Sequence, residues 1–139
     1  MWDLAQSEDS KRLIERSLAD GKPLGVVCDA PGVLPHVVNA GGEPLVKGKL
    51  VTGFFNTEEE AVGLKAVVPF LVEDMIRSLG GRFSQGAPWS SHVVTDSLLV
   101  SGQNPQSPAE AARALLTAMA RTRAAPAKTT SAQALLGQR

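Results

Sequence analysis

Pro23-Leu24-Gly25-Val26-Val27-Cys28-Asp29-Ala30-Pro31-Gly32 is the stretch that decides the fold. Leu24 to Val27 is short, apolar at consecutive positions and bounded by breakers. Such a run fits a parallel strand buried on both faces. Pro31 fits the first turn of a following helix, where its missing N–H costs nothing. Val33, Leu34 and Val37 are the expected buried side of that helix. Cys28 therefore falls at a strand-to-helix junction.

Working outward toward the N-terminus, Ser7 reads as a helix N-cap. Glu8 and Asp9 then suit the first turn. Leu13, Ile14 and Leu18 make an apolar stripe at helical spacing. Gly21 fits the left-handed C′ position, and Pro23 prevents continuation. In the other direction, residues 39–44 are turn-rich, and 50–55 form a second apolar, β-rich run. Thr57-Glu58-Glu59-Glu60 has the form of a capping box. Pro69 opens an expected helix that Gly80-Gly81 closes. Val93-Val94 and Leu98-Leu99-Val100 flank Asp96-Ser97 as a hairpin. Ser107-Pro108-Ala109-Glu110 combines an N-cap, a proline at the first helical position and a capping-box Glu. Ala112, Leu115, Leu116 and Met119 are the apolar positions of the helix it starts. Helices alternating with short apolar strands predict an α/β class with a mostly parallel sheet covered on both sides. Sites in such sheets form at the carboxyl ends of strands.

Composition narrows the function. The chain has 139 residues, enough for one domain. Lys+Arg and Asp+Glu are both 14, without the basic excess of a nucleic-acid binder. No apolar run approaches the ~20 residues that span a bilayer. The single cysteine cannot make an internal disulfide, and a reducing, cytoplasmic location is the default. One Cys and two scattered His lack metal-ligand spacing, and no phosphate-binding or dinucleotide fingerprint is present. No cofactor or metal is expected.

The chemistry candidates centre on Cys28. At a helix N-terminus, backbone N–H groups lower a thiol pKa, and a sharp strand–turn–helix exposes a nucleophile. The alternative is a buried structural cysteine. Asp29 reads as a weak base or as a helix N-cap, and its charge beside the thiol disfavours the thiolate. Glu58, Glu59 and Glu60 read as a solvated helix start, or as a run from which one acid turns toward Cys28. His36 reads as a packed or surface residue. His92, beside the strand at 93–94, is a candidate partner for the thiol.

Several stretches resemble, in order, the PfpI/glyoxalase III superfamily of class I glutamine amidotransferase-like proteins, and its heat-shock subgroup in particular. They are Gly-Lys-Pro-Leu-Gly-Val-Val-Cys28-Asp29-Ala30-Pro31-Gly32, Leu45-Val46-Lys47-Gly48-Lys49-Leu50-Val51-Thr52-Gly53-Phe54 and Asn56-Thr57-Glu58-Glu59-Glu60. Val68-Pro69-Phe70-Leu71-Val72-Glu73-Asp74, Trp89 with Val93-Val94-Thr95-Asp96, and Ser101-Gly102-Gln103-Asn104-Pro105-Gln106-Ser107 complete the set. The resemblance implies a flavodoxin-like three-layer α/β/α sandwich, with residues 1–123 as the C-terminal part of such a domain and 124–139 as a flexible tail.

The resemblance also implies a function. It is a glutathione-independent glyoxalase III-like or deglycase-like activity on methylglyoxal-type aldehydes. The cysteine attacks the aldehyde, and a neighbouring base moves protons between adjacent carbons. Cys28 matches the nucleophile, and Glu59, by spacing from Gly53 and Gly63, matches the acid. Asp29 stands where the family has a histidine. An imidazole exchanges protons near pH 7, and a carboxylate of ordinary pKa does so poorly. The alternatives are a non-catalytic stress chaperone or interaction module, and a non-functional fragment.

Met1-Trp2-Asp3-Leu4 matches a mid-domain segment. The family has strands and helices before it, with a Gly-rich turn of the oxyanion pocket and an acidic residue that contacts the cysteine. The expected consequence is an uncovered sheet edge. The expected partners are a small aldehyde and either a second copy or the upstream segment, with neither nucleic acid nor membrane.

Overall fold

The computed structural model describes residues 1–124. The tail expected over 124–139 thus lies, but for its first residue, outside the described residues. The first residues form a short helix α1 (Trp2–Ala5), followed by α2 (Glu8–Ala19). The Ser7 hydroxyl accepts from the Ser10 N–H, as an N-cap should. Gly21 takes φ +74°, the left-handed geometry that ends the helix. The stripe differs in detail from expectation: Ile14 is buried, whereas Leu13 is 69% exposed.

Strand β1 (Leu24–Val27) pairs in parallel with β5 (Leu99–Gly102), which pairs antiparallel with β4 (Val93–Asp96). The sheet order is β1-β5-β4. The β4–β5 turn uses Ser97 at φ +57°, so the hairpin forms as read. A second parallel pair joins β2 (Leu50–Val51) to β3 (Arg82–Phe83). The expected strand over 50–55 is therefore shorter, because the backbone turns at Thr52-Gly53 to meet Cys28. Gly53 is required there: a Cβ would lie 2.8 Å from Val72 Cγ1 and 3.2 Å from the Cys28 carbonyl oxygen.

The side chains of β1 and β5 alternate between two cores. Val26 and Leu99 join Ile14, Leu34, Val51, Val72 and Ile76 on one face. Val27 and Val100 pack with Ala111, Ala118 and Leu115 of α5 (Pro108–Ala124) on the other. The sheet thus has helices on both sides, a three-layer arrangement. In α5 the buried face runs through Ala111 and Ala118, while Leu116 is 65% exposed and Ala112 is also exposed. This departs from the expected face.

Four helix signals resolve differently, in whole or in part. After Cys28 there is only a single 3-10 turn, Ala30–Val33, although Leu34 and Val37 are fully buried as expected. Helix α3 (Asn56–Ala61) begins at Phe55 with no side-chain cap, so Thr57 caps nothing. Helix α4 (Val72–Ser78) starts three residues beyond Pro69. At α5 the helix begins at Pro108 as read, but Glu110 accepts from the Ser91 hydroxyl instead of closing a capping box.

Candidate active site

The site is built where β1 and β5 end. Cys28 follows the last residue of β1 and holds φ +63°. A non-glycine residue in this region is strained by its Cβ, and such strain persists only where the surroundings enforce it. Here both backbone groups are pinned. The Cys28 N–H donates to the Gly102 carbonyl at 2.9 Å, and the Cys28 carbonyl accepts from the Phe54 N–H at 2.8 Å. The half-buried side chain leaves the strand direction at a sharp elbow.

Of the two opposing effects read from the sequence, the one that disfavours the thiolate wins. The thiol is pushed up to about 11, first by burial and then by the Asp29 charge, with Glu59 and Glu58 adding to it and a hydrogen bond involving the Asp29 backbone partly opposing. A four-residue 3-10 turn has no developed dipole to offset three acids. Neither histidine is among the charges acting on the thiol. His92 Nε2 instead pairs with the Ser84 hydroxyl at 2.9 Å, and His36 is exposed.

Asp29 stands at the N-cap position of the 3-10 turn, yet its side chain makes no capping bond. It meets Glu59 instead. Burial raises the Asp29 carboxyl; the Met1 α-ammonium and the hydrogen bond with Glu59 oppose that rise. Glu59 is raised by burial, by the Asp29 charge and by the same hydrogen bond. The shared bond lowers one carboxyl and raises the other. Both carboxyls are thus raised and coupled to each other, as in carboxyl pairs whose double ionisation is disfavoured. Glu58 is fully buried and Glu59 is 2% exposed, so only Glu60 of this acidic run is solvated.

Glu58 has its own set of partners. One oxygen, Oε1, accepts from the Trp89 N–H at 2.7 Å, from Asn104 Nδ2 at 2.8 Å and from Gln103 Nε2 at 3.3 Å. Trp89 holds φ +59° and sits edge-on to Phe54, with ring centroids 5.9 Å apart. Five buried side-chain atoms lack a hydrogen-bond partner among the described residues: Asp29 Oδ1, Thr52 Oγ1, Asn56 Oδ1, Glu58 Oε2 and Glu59 Oε1. All belong to Asp29 or to residues 52–59. Among the described residues no group of three His, Cys, Asp or Glu is placed to hold a metal ion.

Cys28, Asp29 and Glu59 are thus brought together, and His92 is not. Gln103, Asn104 and Trp89 had no role assigned from sequence. The available signal was a pair of adjacent amide residues, Gln103 and Asn104, with two residues between them and the apolar run 98–100, a place where buried amides need partners.

No family model matches the chain. It is 30% identical over 113 residues to the glutathione-independent glyoxalase HSP31 of Saccharomyces cerevisiae, covering 77% of this chain and 48% of that protein. It is 32% identical over 114 residues to the glutamine amidotransferase-like class 1 domain-containing protein 1 of Bos taurus, covering 82% and 52%. The crystal structure of glyoxalase III from Candida albicans superposes with a TM-score of 0.80 at 26% identity, over 85% of this chain and 52% of that one. The chain spans about half the length of these relatives. The shared architecture is flavodoxin-like, a mixed α/β fold with a mostly parallel sheet.

Proposed function

The chain belongs to the PfpI/glyoxalase III superfamily, and from that premise we propose that it works on methylglyoxal-type aldehydes without glutathione, with Cys28 as nucleophile and Asp29 and Glu59 as the proton-transfer pair. The observation that carries this reading is the Asp29–Glu59 pair, buried beside a strained cysteine at the strand end.

The thiol adds to the aldehyde carbon. The S–C bond forms, and the thiol proton passes through the ionised Asp29 carboxylate to the former carbonyl oxygen, giving a hemithioacetal. Asp29 then takes the proton from that carbon, the hemithioacetal hydroxyl proton passes through the pair to the adjacent carbonyl oxygen, and the pair returns the first proton to the adjacent carbon. The product at this stage is a thioester of a 2-hydroxy acid. Water cleaves it, restoring the thiol and releasing lactate when methylglyoxal is the substrate. A carboxyl raised by burial is a better base than an ordinary one, because its pKa lies closer to the working pH. The thiol at about 11 is scarcely ionised at neutral pH. The expected rate is therefore low.

The test is lactate formation from methylglyoxal without glutathione, beside Cys28→Ala and Asp29→His. Slow turnover that Cys28→Ala abolishes and Asp29→His raises, by roughly tenfold or more on the usual worth of a well-matched base, supports the proposal. Equal lactate from the folded wild type and Cys28→Ala sinks it.

A second reading is a non-catalytic stress chaperone or interaction module. One observation favours it: Val62, Leu64 and Val67 between α3 and α4 are 45%, 43% and 57% exposed, a run of apolar surface. Suppression of client aggregation by Cys28→Ala as well as by the wild type would favour this reading.

A further inference from the structure

Glu58 lies next to the proposed acid Glu59 but has a different set of contacts. Its carboxylate is fully buried, and one oxygen accepts three hydrogen bonds from two separate segments. The donors are the backbone of Trp89 in the 84–92 loop and the side chains of Gln103 and Asn104 beyond β5. Those amides are in turn committed to the same loop. Gln103 Oε1 accepts from the Gly86 N–H at 2.8 Å, and Gln103 Nε2 also donates to the Ala87 carbonyl at 3.3 Å. Asn104 Nδ2 donates to the Ser90 carbonyl at 2.9 Å. Every residue of this network is buried except those of the loop.

The loop would not hold this shape alone. Trp89 is in the left-handed region, which strains a bulky residue and survives only under external constraint. The short N–H contact to Glu58 supplies that constraint, and charge-assisted bonds of this kind are the stronger class. The outcome is the edge-on contact of Trp89 with Phe54, whose N–H is bonded to the Cys28 carbonyl. A continuous line of contacts thus runs from Glu58 through Trp89 and Phe54 to the elbow.

We propose that Glu58 is a positioning residue, which through its single oxygen fastens the Trp89 loop against Phe54 and so fixes an aromatic wall beside Cys28 and Glu59. The proposal rests on Cys28 being the reacting centre only for the purpose of the wall. The fastening itself is independent of any turnover.

The test uses the full chain in a Trp2→Phe background, so that Trp89 is the sole indole. Acrylamide quenching of Trp89 and the pH dependence of Cys28 alkylation by iodoacetamide are compared in wild type, Glu58→Gln, Glu58→Ala and Asn104→Ala. Glutamine keeps an acceptor oxygen and loses the charge; alanine loses both. Glu58→Gln should therefore lower the thiol pKa while leaving Trp89 quenching at its native level. Glu58→Ala should lower the thiol pKa and also raise the quenching constant roughly twofold or more, as a released ring turns to solvent. Asn104→Ala, which frees both a donor to Glu58 and the tie to Ser90, should raise quenching with the carboxylate still present.

Native quenching in a folded Glu58→Ala overturns the proposal, as does equal quenching in the Gln and Ala variants. If Glu58→Ala does not fold, Asn104→Ala set against Glu58→Gln decides. Quenching no higher in Asn104→Ala overturns the proposal. A methylglyoxal assay that fails in every variant would count against the catalytic reading and leave the fastening result standing.

Discussion

The thiol of Cys28 is the residue on which the chemistry turns, and its surroundings oppose its ionisation. Burial and three acids push it up to about 11. The fraction ionised at pH 7 is then ~10⁻⁴. Alkylation is expected to rise through pH 10–11, and Asp29→Asn or Glu59→Gln should each bring the midpoint down. A thiol titrating near the free value of ~8.5 in the wild type would contradict the geometry. The same shift makes a statement about stability. The folded state holds the thiol proton above the pH at which the unfolded chain releases it. Between pH 9 and 11 the folded state therefore binds more protons, and stability falls as pH rises through that window. In Cys28→Ala that contribution disappears, and urea midpoints measured from pH 8 to 11 should fall less steeply than in the wild type. Asp29 and Glu59 act with the same sign at lower pH. Both are raised, so their contribution is present in acid and is lost as pH climbs past their folded values.

At the scale of elements, the site depends on a close approach between the turn after β2 and the elbow after β1. Gly53 allows it, since a Cβ would meet both Val72 and the Cys28 carbonyl. Gly53→Ala should cost about 1–3 kcal/mol, the usual range for overpacking, read as a lower urea midpoint. It should also change the alkylation profile of Cys28, because the displaced backbone carries the bond from Phe54. Unchanged stability and alkylation would mean that the turn gives way freely. Much of this scale was legible in the sequence. Leu24–Val27 read as a strand, Ser7 as a cap and 93–100 as a hairpin, because each is signalled within a few residues; the burial expected along that strand holds fully at Val26 alone. The acidic run read two ways, as a solvated helix start or as a run with one acid turned toward Cys28. Thr57-Glu58-Glu59-Glu60 looks like a solvated capping box, yet Phe55 starts the helix and two of the acids face inward. Their partners, Asp29, Trp89, Gln103 and Asn104, lie some 30–46 residues away in the chain, beyond the reach of any local pattern.

For the whole molecule, the sheet has an open edge at β1 among the described residues. Bonds from Leu24 to Leu98 and from Cys28 to Gly102 turn alternate residues of β1 toward β5. Gly25 and Val27 must then point their backbone groups the other way, and among the described residues β1 pairs with β5 alone. Gly25 is exposed, and Leu13 on α2 and Leu116 on α5 are 69% and 65% exposed on opposite faces of the sheet. An open parallel edge flanked by apolar side chains favours association. Light scattering of the isolated 139-residue chain is expected to give a mass above that of one chain, rising with concentration. A stable monomer that unfolds in one cooperative step would show that the edge needs no partner.

The sequence by itself determined the strand ending at Cys28, the alternation of helices and strands, the α/β class and the cysteine as the reactive candidate. These follow from apolar periodicity, breakers and caps, all set by neighbours along the chain. Only the tertiary structure decided the electrostatic character of the site. The thiol, which a helix N-terminus would lower and the Asp29 charge would raise, is raised, because the helix shrinks to one 3-10 turn and burial adds to the charges of half-buried Asp29 and buried Glu59 and Glu58. It also decided that Glu59 turns to Asp29 while Glu58 ties down Trp89. Charge and burial act through space and depend on which distant segments the packing brings within a few ångströms, and the order of residues along a strand or helix does not encode that.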